Sequence, residues 1–164
     1  MDGKYRKNKM SFFDESYYNG SLSDEEMDER YDSYQRKLNS LLPEMSFLER
    51  VLVTIDFHDA KIQKLEETNG KISLTILNGD LQNGYTSISI SFKKAHIGAI
   101  ENELYILSAE IDKEEKNTFL SLLTKNKKVM CISFEQIEHI NIREIHESEY
   151  LGEKNGKRIF CKTL

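Results

Sequence analysis

After His58 the apolar residues of this chain stop recurring every three or four positions and begin to alternate, and they do so to Ile145 without a gap long enough for a crossover helix. A parallel connection between neighbouring strands needs a dozen or more residues, usually helical, to return to the starting end of the sheet. Strands this close in sequence must therefore pair largely antiparallel. "KISLTILN" (71–78) puts Ile72, Leu74 and Ile76 on one face and Ser73 and Thr75 on the other. "YTSISISF" (85–92) repeats the pattern with Ile88, Ile90 and Phe92 against Ser87, Ser89 and Ser91. The turn-rich "GDLQNG" between them predicts a hairpin. Segments 104–111, 118–123, 128–134 and 137–145 are further strand candidates. With Ala60, Ile62 and Leu65 in a first strand, the count is about seven. The tail "YLGEKNGKRIFCKTL" offers one more hairpin around Asn155-Gly156.

Upstream of His58 the period is helical. Ser23 and Glu26 form a capping box, and Asp24, Glu25 and Glu26 lie in a first turn, where the helix dipole favours negative charge. Met27, Tyr31, Tyr34, Leu38 and Leu41 then recur as one apolar stripe until Pro43 ends the run, so residues 24–42 are predicted helical. Ser46 and Glu49 form a second box opening a shorter helix over 46–55, with Phe47, Leu48, Val51, Leu52 and Ile55 as its buried side. Almost nothing joins the two helices, which predicts an αα-hairpin or a sharp corner. The fold class expected is α+β: N-terminal helices packed on a curled, mostly antiparallel sheet or sandwich. Residues 1–20, with Tyr5, Phe12, Phe13, Tyr17 and Tyr18, read as an aromatic-rich arm that docks on the core; residues 21–164 read as a single domain.

Composition removes several functions. The net charge of −5 argues against nucleic acid, which needs a basic patch. The one basic cluster, "TKNKK" (124–128), sits between apolar runs and reads as a solvated hairpin tip. No apolar run approaches the ~18 residues that span a bilayer, and no apolar segment follows the basic N-terminus to make a secretory signal. Cys131 and Cys161 are too few for a disulfide framework and lack a metal-type doublet, which points to a reducing cytoplasm.

The polar residues give two candidate sites. His58-Asp59, in "TIDFHDAKIQKL", is the only His-Asp pair in the chain. Such a pair also marks phosphohydrolases of the HD type, but there it lies on a helix of a mostly helical fold, and here strands follow at once. The histidines show no HxH, HxxxH or HExxH spacing, so neither a metal nor a cofactor is expected. No GxSxG elbow, P-loop or GxGxxG occurs, and Cys131 alternates within "VMCISF" as a buried thiol does. The pair is therefore read as a chain corner, with Asp59 bonding backbone N–H groups or an imidazole of the same chain, and His58 donating to a nearby carbonyl or to that acid. The second candidate is the acidic helix face of Asp24, Glu25, Asp28, Glu29 and Asp32, either merely solvated or attractive to a basic partner.

The run "YDSYQRKLNSLLPEMSFLERV" followed by "FHDAKIQKLE", with the strand endings "FKKAHI" and "FEQIEHI", resembles a bacterial family labelled domain of unknown function four-zero-eight-five. The likeness spans about residues 10–145, from an aromatic start ("MSFFDESYYN") through a helix ending in Leu42-Pro43 to a Leu-His-Asp whose leucine is here Phe57. It implies no activity and no catalytic residue. The His-Asp-Ala strand opening is also similar, more loosely, to immunity proteins of bacterial toxin systems. The expectation is a cytoplasmic, non-catalytic binding protein, an immunity- or antitoxin-like or regulatory chain whose partner is a protein with a basic surface. The alternative is a ligand-binding or hydrolase-like protein centred on His58 and Asp59.

Overall fold

A computed structural model describes residues 10–100, 103 and 105–152, and the backbone of 159–162. Both capping boxes form. The Ser23 hydroxyl accepts from the Glu26 N–H at 3.2 Å while Glu26 accepts from the Ser23 N–H at 2.8 Å, and Ser46 and Glu49 repeat the exchange at 3.3 and 2.7 Å. They open α2 (Asp24–Leu41) and α3 (Phe47–Val53), which follow a single turn, α1 (Glu15–Tyr18). A 3-10 turn, Leu42–Glu44, holds Pro43 and makes the corner between α2 and α3.

The stripe of α2 buries Tyr34 and Leu38, while Tyr31 stays 51% exposed. On α3 the expected buried side is corrected. Leu52 is fully buried, but Phe47 is 78% exposed, and Glu49 is buried in its place. Ile55 lies beyond the helix, which the Thr54 backbone closes.

The strands β1 (Lys61–Thr68), β2 (Lys71–Asp80), β3 (Gly84–Lys93), β8 (Gln136–Ile145) and β9 (Ile159–Lys162) form one sheet in the order β8-β3-β2-β1-β9. A second sheet runs β4-β7-β6-β5, from β4 (His96–Ile97), β5 (Ile106–Glu114), β6 (Asn117–Thr124) and β7 (Val129–Phe134). Pairing is antiparallel throughout except at one edge, where β9 runs parallel to β1. The α+β architecture follows. One strand lies outside the sequence-based expectation, β4, which is two residues long and too short to show a period; β9 lies in the tail where a hairpin is expected but pairs in parallel with β1. The tail turn expected at Asn155-Gly156 lies outside the described residues.

The β2–β3 hairpin takes the register its alternation demands, with Leu74 opposite Ile90 and Ile76 opposite Ile88. A one-residue slip would turn all four onto the solvent face. Asp80 Oδ1 accepts the N–H groups of Gln82 and Asn83 at 2.8 Å and shapes the turn. Gly79 (φ 125°) has no alternative, because a Cβ there would lie 2.0 Å from the Gly84 carbonyl oxygen. "TKNKK" is the β6–β7 tip, closed by Thr124 N–H to the Lys128 carbonyl at 2.9 Å. One continuous core draws on both sheets and the helices; Phe92 of β3 meets Phe134 of β7 with ring centroids 4.6 Å apart.

The described part of the arm, from Met10 onward, is tied down by a carboxylate in β5. Glu110 accepts the backbone N–H groups of Ser11, Phe12 and Phe13 at 3.0, 2.6 and 2.7 Å. Ser108 donates to the Phe13 carbonyl at 2.9 Å. Arg30 of α2 reaches Asp14, Ser16 and the Phe12 carbonyl at 3.0, 2.9 and 3.3 Å. The bends at 11–14 have no helix or strand ladder to satisfy their N–H groups, so these borrowed partners let Met10 and Phe13 lie buried.

Candidate binding site beside the His58 corner

The corner at His58 is built from backbone. Asp59 has φ 57°, in the left-handed region that aspartate enters more readily than most residues. Its N–H donates to the Ile106 carbonyl at 2.9 Å, and the Ala60 carbonyl accepts from the Ile106 N–H at 2.9 Å. Those bonds tie the start of β1 to the start of β5 and leave Ala60 with no exposed surface.

Of the two expected roles of the Asp59 carboxylate, the contact with an imidazole is present and the backbone N–H bonds are corrected. Among the described residues it accepts no backbone N–H; it is 60% exposed, 3.3 Å from His58 Nε2 and 3.2 Å from Lys125 Nζ. Asp56 does the capping instead, its Oδ1 accepting from the His58 N–H at 2.9 Å and its carbonyl from Asn78 Nδ2 at 2.5 Å. His58 Nδ1 donates to the Leu107 carbonyl at 2.6 Å. Because Asp59 meets only exposed charges, Asp59→Asn should change stability by ~0.5 kcal/mol or less. Asp59→Val, with a branched side chain at positive φ, should lose about 1–2 kcal/mol in the same thermal melts.

His58, but not Asp59, lines an open cleft of about 320 Å³ between the arm, α2, the loop after α3, and β5. Phe13 is its buried floor, meeting Tyr34 and Tyr17 edge-on at centroid distances of 5.0 and 5.1 Å. Tyr17 meets Tyr18 at 5.2 Å, and Tyr18 stacks on His58 at 6.4 Å and 14°. Tyr31 completes the aromatic wall on the α2 side, 6.4 Å from Phe13. Asp56 and Gln35 supply polar groups at the lining. Burial first, then the charges of Tyr17, Asp59 and Glu110, raise the Tyr18 phenol above its ordinary range. Burial likewise raises Tyr34, with Glu110 and Asp112 adding to it and the Ile111 N–H on its hydroxyl opposing.

The acidic face adjoins this cleft. Asp24, Glu25, Asp28, Glu29 and Asp32 are all exposed on α2. Asp28 and Asp32 stand three residues before Tyr31 wall neighbours, Asp28 before Tyr31 itself and Asp32 before Gln35, which places them one helical turn from the rim. Among the described residues none of the five holds a lysine or arginine, whereas Asp14, Glu66, Asp112, Glu135, Glu138 and Glu149 all do.

Sequence reasoning singled out His58-Asp59 and the acid face as separate features and missed the cleft beside them. Tyr17, Tyr18 and Tyr31 were visible as aromatics; their convergence was not. No group of three His, Cys, Asp or Glu able to hold a metal occurs among the described residues. No helix among them is long and apolar enough to cross a membrane. No family model matches the chain, and no curated protein or solved structure resembles it significantly.

Proposed function

We propose that this protein is a non-catalytic binding protein that engages a basic surface of a protein partner through the exposed face of α2. The observation that carries the reading is the set of Asp24, Glu25, Asp28, Glu29 and Asp32, exposed on one helix and holding no lysine or arginine among the described residues, whereas Asp14, Glu135 and Glu138 each hold one. Unpaired like charges on one helix repel and are relieved by an incoming cationic surface, which also speeds encounter. Neutralising a toxin, as an immunity protein does, or holding a regulatory partner are contacts of this kind, and a cytoplasmic setting suits either. The alternative site on the His58–Asp59 pair draws support from His58 alone, since Asp59 is not part of the cleft lining.

The test is fluorescence anisotropy with a labelled Lys/Arg-rich peptide and an acidic peptide of equal length. Asp28→Asn, Glu29→Gln and Asp32→Asn are combined, leaving the first helical turn and its capping box intact. At ~0.5 kcal/mol for each exposed charge pair, the triple variant should bind the basic peptide about ten-fold more weakly. The affinity should also fall with added salt. Equal affinity in the triple variant, or equal binding of the acidic peptide, would remove the proposal.

A further inference from the structure

We infer that the cleft beside His58 receives the guanidinium group of an arginine from that basic partner, held against tyrosine faces and paired with Asp56; this rests on the binding-protein reading above. The faces of aromatic rings carry negative partial charge and attract cations, and Arg combines a planar group that stacks on rings with a fork that fits a carboxylate. Tyr17, Tyr18, Tyr31 and Tyr34 surround a cleft of about 320 Å³. That is the small end of the ~300–1,000 Å³ range of ligand sites, which suits one side chain better than an extended ligand.

Two contrasts within the chain sharpen the choice of a cation. Elsewhere on the surface three rings already carry a cation: Lys37, Lys125 and Lys61 lie over Phe12, Tyr105 and Tyr150 at 5.7, 4.9 and 5.8 Å. The four cleft tyrosines carry no such cation among the described residues, and Arg30 is already bonded to Asp14, Ser16 and the Phe12 carbonyl. Asp56 uses Oδ1 for the His58 N–H, which leaves Oδ2 for a guanidinium N–H. Gln35, also in the lining, offers an amide oxygen. A neutral ligand would gain only the ring surfaces; a cation gains the rings, the carboxylate and the field of the α2 face together. The shape of the arm is part of the site, because Glu110, Ser108 and Arg30 hold the segment that brings Tyr17 and Tyr18 to the cleft.

The experiment uses the full chain with its tyrosine rings isotopically labelled, titrated with N-acetylarginine methylamide and, separately, with its citrulline counterpart, which keeps the shape and removes the charge. Saturable shifts of the Tyr17, Tyr18 and Tyr31 ring signals with the arginine compound, absent with citrulline, are expected. Tyr31→Leu, at a half-exposed position where the fold should persist, should weaken arginine binding about five-fold, the size of one cation–ring contact. Asp56→Asn should weaken it as well. Equal shifts with citrulline, or shifts that leave these tyrosines unmoved, would overturn the inference. If the basic peptide still binds the α2 face in that case, the cleft assignment alone falls; if neither probe binds, the binding-protein reading falls with it.

Discussion

Glu110→Ala is expected to cost about 3–4 kcal/mol of stability, the largest single effect foreseen in this chain. Hydrogen bonds to a charged acceptor contribute about 1.5–3 kcal/mol each, and Glu110 accepts three backbone N–H groups. Their sum overstates the loss, since an arm that leaves the surface regains water at those N–H groups. The ceiling is therefore the whole docking energy of the arm, including the buried surface of Met10 and Phe13. Glu110→Gln keeps a neutral acceptor of the same shape and should lose about half as much, as neutral bonds are roughly half as strong. Urea melts measure both. Limited proteolysis should cut the Ala variant within residues 10–18 faster than wild type. A wild-type melting profile for Glu110→Ala would mean the arm is held by something other than this carboxylate.

Lys113→Met is expected to lose about 3 kcal/mol and to change how stability depends on pH. Lys113 Nζ lies 2.7 Å from Glu49 Oε1, with side chains only 10% and 5% exposed. Thr118 also donates to that oxygen. Removing one partner of a buried pair leaves a charge with less compensation than its burial requires, typically a loss of about 3–5 kcal/mol. The hydroxyl of Thr118 and the Ser46 N–H remain, which sets the figure at the low end. Burial pushes the Glu49 carboxyl up, but the bonds from Lys113, Thr118 and Ser46 outweigh it and hold the group below its ordinary value of 4.5. A folded pKa below the unfolded one stabilises the protein fully above the unfolded value, and that contribution fades as pH falls through the folded value. Wild-type stability should therefore decline as pH drops below about 4.5, and the decline should be shallower in Lys113→Met. Parallel pH profiles for the two proteins would show that Glu49 does not depend on Lys113.

These two clusters explain where sequence reading stops. Capping boxes are contacts three residues apart, so Ser23 with Glu26 and Ser46 with Glu49 are legible directly. Strand faces are legible for the same reason, since a period of two needs no distant partner. Glu110 meets Ser11, Phe12 and Phe13 across 99, 98 and 97 positions, and Lys113 meets Glu49 across 64. No local pattern encodes such pairs. The error at Phe47 has the same origin. A polar residue such as Glu49 is assigned to solvent, yet its bond to Lys113 draws that side of α3 inward. The buried arc of a two-turn helix then rotates away from its first residue, and Phe47 is left outside. At the site, the acid face was legible as helical spacing on α2, and His58 as an unusual neighbour of Asp59. The cleft was not, because its walls come from the arm, α2 and β5, which long-range bonds of Glu110, Ser108, Arg30 and Tyr34 bring together. Asp59 misled for a smaller reason: its backbone, not its carboxylate, makes the corner.

In the function proposed for this protein, α2 and the docked arm form one recognition face for a basic partner. Hydrogen exchange of the full chain, with and without a saturating Lys/Arg-rich peptide, tests it most directly. Slowed exchange is expected in residues 10–18 and 24–35, with β8 and the β6–β7 tip unchanged. Protection confined to β8 or that tip, with 10–18 and 24–35 unaltered, would contradict it.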